Sequence, residues 1–134
     1  MLKEPGFVGA YFKIIFNEEK SKEDVNNFVK ELMEMIFDIS SKEEKLIGHL
    51  KLYSKSNNGS KIRANLTGLK KNLTIFFDNW KEDKIFEFWL NLISFFKEGK
   101  ELEKSLKDIL RDLVKRYNGT IKEYNASLEA KHQH

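Results

Sequence analysis

Three short segments of alternating polar and apolar residues, joined by short links, most constrain the fold of this chain. They span residues 46–53, 61–67 and 73–77, and turn-forming residues fill the links between them. In the first link, the pair Asn58-Gly59 supplies the positive φ angles that a tight hairpin needs. Because such links are too short for a crossover between parallel strands, the sequence predicts an antiparallel meander.

The same part of the chain has an unusual charge. Residues 45–77, which we call the basic segment, contain seven basic side chains and no acidic one, whereas the whole chain has 24 Lys plus Arg and 21 Asp plus Glu. A segment of charge +7 therefore lies within a remainder of charge −4. Its basic residues are Lys45, Lys51, Lys55, Lys61, Arg63, Lys70 and Lys71.

The regions on either side of the basic segment predict one more strand and two helices. Residues 9–16 are rich in β-branched and aromatic side chains, which favour a strand. From Ser21 onward, apolar residues recur every three or four positions, so we predict a helix that ends near residues 38–41. The same period over residues 100–117 predicts a second helix, which Asn118-Gly119 ends.

Residues 84–97 fit either a helix or a strand. As a helix, they would have Asn79 as N-cap and one thin polar stripe. As a strand, they would alternate outward polar positions and Trp89 with inward apolar ones. Because aromatic and β-branched residues dominate the segment, we predict a fourth strand of the meander, paired with residues 73–77.

Together these segments predict a single α+β domain over residues 1–119, with the element order β-α-β-β-β-β-α. We expect an antiparallel sheet of four to five strands with two helices packed on one face. If residues 84–97 were helical, the order would be β-α-β-β-β-α-α. Residues 120–134 contain few apolar side chains, and we expect them to form a mobile C-terminal tail.

The composition excludes several kinds of site. The chain has no cysteine, which excludes disulfides, thiolate nucleophiles and cysteine-based metal sites. His49 is the one histidine inside the predicted domain and has no carboxylate at ligand spacing, so we expect no metal and no cofactor. The sequence shows neither a signal peptide nor an apolar run long enough to cross a bilayer, so we expect a cytoplasmic protein without membrane contact.

The outward face of the predicted sheet leads to a first hypothesis about function. Its alternation places more apolar surface there than a small monomer usually exposes to water. We therefore expect a small binding protein that covers this face with a second copy, as a homodimer, or with another protein. The apolar residues assigned to this face are Ile47, Tyr53, Phe76, Trp89 and Ile93.

Single-stranded nucleic acid, or another polyanion, is the alternative partner. A basic sheet with interleaved aromatic residues can hold a single strand, because bases stack on the rings while Lys and Arg contact phosphates. The candidate binding residues are His49, Lys51, Tyr53, Lys61, Arg63, Lys70, Lys71 and Trp89. Lysine-rich strands are also common as plain solvated surface, and only one of the seven basic residues is Arg.

An enzyme is the weakest of the three hypotheses. His49 could act as an acid or base if Glu87 lay beside it on the same sheet face. A lone histidine on a strand is more often a structural residue, so we assign no catalytic residue.

Overall fold

The computed structural model describes residues 1–129, which form six β-strands, two α-helices and one short 3-10 turn. In chain order these are β1 (Gly6–Lys20), α1 (Lys22–Ser40), β2 (Leu46–Ser56), β3 (Lys61–Gly68), the 3-10 turn (Lys70–Asn72), β4 (Thr74–Asp78), β5 (Asp83–Ser94), α2 (Gly99–Arg116) and β6 (Gly119–Ser127). The predicted α+β class is confirmed. Every predicted helix and strand is present, including the strand chosen for residues 84–97.

All six strands belong to one sheet, in the order β4-β3-β2-β5-β1-β6. Each neighbouring pair is antiparallel, so β1 and β2, which both flank β5, run parallel to each other. In the same way, β5 and β6 flank β1 and run parallel. Each helix therefore joins two parallel strands that are separated by an antiparallel one, which is a split β-α-β unit. Strands β3 and β4 extend the sheet beyond β2.

The predicted meander is correct for β2, β3 and β4 but wrong for β5. This strand pairs with β2 and β1 in the middle of the sheet, not with residues 73–77. A strand of 12 residues can form hydrogen bonds along its full length only beside long partner strands, and β1 and β2 have 15 and 11 residues. Strand β4, with 5 residues, becomes an edge strand.

A sixth strand replaces part of the predicted tail. Residues 119–127 form β6, which pairs with β1, so the sheet has six strands where four to five were predicted. A β-bulge shifts the register between the partners of Lys13 and Ile14, which interrupts the alternation that would have revealed this strand in the sequence. The end of the predicted tail, residues 130–134, lies outside the described residues.

Both helices pack on one face of the sheet. Ser21 caps α1, because its Oγ accepts a hydrogen bond from the Asp24 backbone N–H at 3.1 Å. The core between the layers is rich in aromatic rings: Phe88 of β5 stacks on Phe12 of β1 at 5.1 Å and packs against Phe28 of α1 at 5.8 Å. In the part of the chain that the structure describes, no layer covers the opposite side of the sheet, which we call the open face.

The turn between β2 and β3 is anchored by a buried carboxylate. Gly59 has a φ of 92°, the positive value expected from the Asn58-Gly59 pair. The backbone N–H of Asn58 donates to Asp83 Oδ2 at 2.6 Å, and that of Lys84 donates to Oδ1 at 2.7 Å. Because Asp83 begins β5, this carboxylate ties the turn to the central strand and helps fix the register of β2 against β5.

The two helices lie on the core side of the sheet. None of those formed by residues 1–129 is both long and apolar enough to cross a membrane. Their buried stripes face the sheet, and Leu106, Leu110 and Leu113 of α2 are fully buried. The helices therefore leave the open face uncovered.

Candidate functional site

One row of side chains crosses all six strands of the open face. The strand register aligns Phe76, Arg63, Tyr53, Trp89, Tyr11 and Asn125, in that order from β4 to β6. We call the first five of these residues the aromatic row. Successive members lie about 4.8 Å apart along the hydrogen-bonding direction, since that is the spacing of neighbouring strands. The row is therefore a continuous strip of ring and guanidinium surface.

Trp89 lies between the two tyrosines of the aromatic row. Its ring centroid is 5.4 Å from that of Tyr11 and 5.5 Å from that of Tyr53. The Arg63 guanidinium is 5.5 Å from the centroid of the Tyr53 ring, which is a cation–π contact. Trp89 is 37 % exposed and Phe76 is 63 % exposed, so these two rings offer the most surface to a ligand.

A hydrogen bond fixes one end of the aromatic row. The Tyr11 hydroxyl donates to Glu87 Oε2 at 2.7 Å. This hydrogen bond, together with burial and the negative charge of Glu87, raises the pKa of Tyr11 to about 12. The hydroxyl is therefore protonated at neutral pH and remains a donor to Glu87, which holds the Tyr11 ring against Trp89.

Four cations surround Tyr53 on the same face. Lys51 and Lys55 lie two residues before and after it on β2, and Arg63 lies opposite it on β3 with Lys61 two residues away. We call Lys51, Lys55, Lys61 and Arg63 the basic cluster. Lys51, Lys55 and Arg63 are exposed and Lys61 is half-buried.

The charge of the open face is uneven. On β2, β3 and β4, the aligned outward positions hold the basic cluster and one acidic residue, Asp78, which faces Lys61. On β5, β1 and β6, they hold Lys13 between Glu87 and Glu123. Lys122, which is exposed at the β-bulge of β6, adds a second positive charge beside Glu123. Positive charge is therefore concentrated on the β2–β3 side of Trp89, and the other side is close to neutral.

Most of the predicted binding residues share the open face, but the lysines of the 3-10 turn do not join them. His49, Lys51, Tyr53, Lys61, Arg63 and Trp89 occupy outward positions of β2, β3 and β5. Lys70 Nζ instead lies 2.7 Å from Asp38 Oδ1 and 5.5 Å from the Phe37 ring centroid, both on α1. Lys71 is exposed in the same turn. Lys70 therefore belongs to the helix layer.

The acid–base pair considered for His49 is not formed. His49 faces Ile93 on β5, whereas Glu87 faces Lys55, six residues further along that strand. Six residues of extended chain span about 20 Å, far beyond hydrogen-bonding distance. Burial, and then the charge of Lys51, lowers the pKa of His49. Among residues 1–129, no three His, Asp or Glu side chains are grouped so that they could hold a metal ion.

Tyr11 is the main site residue that the sequence did not reveal. The alternation in residues 9–16 is sufficient to place Tyr11 on the outward face of β1, because the next residue, Phe12, points inward and is buried. Its position beside Trp89, however, depends on the pairing of β1 with β5. The aromatic row therefore could not be recognised until the strand order was known.

Comparisons with known proteins leave the site to be judged on its geometry. No family model, curated protein or solved structure matches this chain. A cavity of about 410 Å³ lies at the end of α1, but two of its polar groups, Asp38 and Lys70, already pair with each other. The open face, with its exposed rings beside four cations, is the stronger candidate.

Proposed function

We propose that the open face binds single-stranded nucleic acid. The observation that carries this proposal is the position of the aromatic row directly beside the basic cluster. Bases stack on Trp89 and Phe76, the two most exposed rings, and phosphates contact Lys51, Lys55, Lys61 and Arg63. Stacking on an aromatic ring contributes about 1–3 kcal/mol per base, and it tolerates any base because every base has a π-face.

The shape and charge of the site support this choice of ligand. A row of rings along a flat sheet presents an extended surface, which suits a polymer better than a small molecule that needs an enclosing pocket. The exposed cations stand within two residues of Tyr53 along β2 or on the next strand. A phosphate next to a stacked base can therefore reach at least one of them.

A second copy of the protein is the second candidate ligand for the same face. The observation in its favour is Phe76, which is 63 % exposed on the edge strand β4. One observation weighs against it. Ile47, Tyr53 and Ile93 are half-buried by their neighbours, so the face exposes less apolar surface than its alternation suggests. Light scattering at high micromolar concentration separates the two candidates. The protein alone should be a monomer if the open face binds nucleic acid and a dimer if it binds a second copy.

The salt dependence of binding tests the nucleic-acid proposal. Each phosphate neutralised on a single strand contributes roughly −0.7 to the slope of log affinity against log salt. Contacts from all four cations therefore give a slope of about −2.8, and the double variant Lys61→Ala/Arg63→Ala should reduce it to about −1.4. Fluorescence anisotropy of a labelled oligonucleotide, titrated at several salt concentrations, measures both slopes.

The matched control removes two positive charges from the helix layer. Lys100 and Lys104 are exposed on α2, on the opposite side of the sheet from the aromatic row. The variant Lys100→Ala/Lys104→Ala should keep the slope of the unmodified protein. An equal reduction of the salt slope in both variants would show that net charge alone attracts the oligonucleotide. Binding no tighter than about 10⁻⁴ M at physiological salt, the weak limit of non-specific binding, would contradict the proposal.

A further inference from the structure

We propose that one nucleic-acid strand occupies both exposed rings at once, with one base on Phe76, another on Trp89 and the backbone between them over the basic cluster. The ligand is then an extended strand whose bases are separated and unstacked. This inference rests on the proposed function and deepens it by assigning the path and the conformation of the bound strand.

Phe76 and Trp89 form two separate stacking surfaces. Among residues 1–129 they are the two aromatic residues that are exposed, and both belong to the aromatic row. Strands β3 and β2 lie between them. Three strand spacings of about 4.8 Å therefore place the two residues about 14 Å apart, so one base cannot cover both rings.

The basic cluster occupies the strip between the two rings. All four of its cations are on β2 or β3, the two strands that separate β4 from β5. The nearest carboxylates, those of Asp78 on β4 and Glu87 on β5, lie on the outer strands and not in this strip. A nucleic-acid strand that joins the two rings therefore carries its phosphates past the cations, as in grooves that hold single strands.

A path along the protein strands reaches no second exposed ring. On β5, the outward positions before and after Trp89 hold Glu87 and Asn91. On β4, neither outward neighbour of Phe76 is aromatic. A nucleic-acid strand can therefore stack on both rings only if it crosses the protein strands.

The length of a nucleotide determines which ligands can contact both rings. A nucleotide adds six backbone bonds, and an extended chain advances about 1.2 Å per bond, so one nucleotide step covers at most about 7 Å. A mononucleotide therefore reaches one ring, whereas a trinucleotide spans both. Bases held on rings this far apart cannot stack on each other, so the strand is bound with its bases splayed.

The test asks whether the two rings act on the same ligand. NMR titrations of isotope-labelled protein at low salt give the affinity at the Phe76 amide for the thymidine nucleotides TpTpT and pTp. Both ligands carry two phosphate groups, but only TpTpT has a base for each ring. Trp89→Ala should weaken the affinity measured at Phe76 by roughly 5- to 150-fold for TpTpT, the contribution of one stacked base, and leave it unchanged for pTp.

The reciprocal variant and a control complete the experiment. Phe76→Ala, followed at the indole N–H of Trp89, should give the same pattern. Leu69→Ala removes a side chain that is 37 % exposed beside the cavity at the end of α1, and it should change neither affinity. The same spectra show that each variant is folded.

Each result decides the inference. Weaker binding of TpTpT alone, in both ring variants, supports it. An affinity for TpTpT at Phe76 that is the same with and without Trp89 means that the rings bind separate ligands, which overturns the inference but leaves the proposed function standing. An equal loss for pTp also overturns it, because a ligand confined to one ring should not respond to the other. No binding of TpTpT or of any longer oligonucleotide overturns both.

Discussion

Replacing Phe88 with alanine is expected to lower the free energy of unfolding by about 3–5 kcal/mol, the usual cost of removing a fully buried phenylalanine. Phe88 is 0 % exposed and lies on β5, the strand that links the two halves of the sheet. Its ring contacts Phe12 of β1 and Phe28 of α1, so the cavity would open between the sheet and a helix. Urea denaturation followed by circular dichroism measures the change.

A phenylalanine on the other face provides the control. Phe76→Ala removes the same ring from the open face, where it is 63 % exposed on edge strand β4. This change should cost less than about 1 kcal/mol, because little buried surface is lost. A similar loss of unfolding free energy in the Phe88→Ala and Phe76→Ala variants would mean that the two faces of the sheet are not divided into core and open surface as described.

The second large effect is expected in nucleic-acid binding. Trp89→Ala should weaken affinity for a single-stranded oligonucleotide by roughly 5- to 150-fold, which corresponds to the 1–3 kcal/mol that stacking of one base contributes. Trp89 contacts both tyrosines of the aromatic row, Tyr11 and Tyr53, so its loss also leaves both neighbours less constrained. Anisotropy titrations at constant salt measure the change.

Leu69 allows a control of equal exposure. It is 37 % exposed, as Trp89 is, but it borders Phe37 and Lys70 in the cavity at the end of α1. Leu69→Ala should leave the affinity for the oligonucleotide unchanged. If Trp89→Ala binds as tightly as the unmodified protein, then no base stacks on Trp89, and the aromatic row is not the binding surface.

Local patterns in the sequence predicted which face each side chain occupies. The alternation of residues 61–67 placed Ile62, Ala64 and Leu66 inward, and all three are buried. The dominance of aromatic and β-branched residues in residues 84–97 correctly predicted that β5 is a strand. These properties depend on a side chain's immediate neighbours in the chain, because successive residues of a strand point to opposite faces.

The order of the strands could not be predicted in the same way. Alternation assigns a face but does not name the neighbouring strand, so β5 was paired with β4 when its partners are β2 and β1. Strand β6 was missed because it is an edge strand with few large apolar residues and a bulge. Pairings between distant parts of the chain depend on strand length and core packing, which a local pattern does not contain.

The same distinction explains how much of the candidate site was predicted. Tyr53, Arg63 and Trp89 were placed on one face from their alternation alone. Tyr11 joins them only through the pairing of β1 with β5, which is a long-range contact. Lys70 was grouped with the other lysines because it is close in sequence, yet the 3-10 turn places it beside Asp38 of α1. Nearness along the chain was therefore a poor guide to the basic surface.

The fluorescence of Trp89 during an oligonucleotide titration tests the central claim most directly. The chain has two tryptophans, and Trp80 packs against Phe77 and Phe86 in the helix-facing layer. The variant Trp80→Phe keeps an aromatic ring there and leaves Trp89 as the one fluorescent tryptophan. If a base stacks on Trp89, its emission should be quenched in a saturable manner, and added salt should restore it. Unchanged Trp89 emission up to about 10⁻⁴ M oligonucleotide, the weak limit of non-specific binding, would contradict the claim that the open face binds nucleic acid.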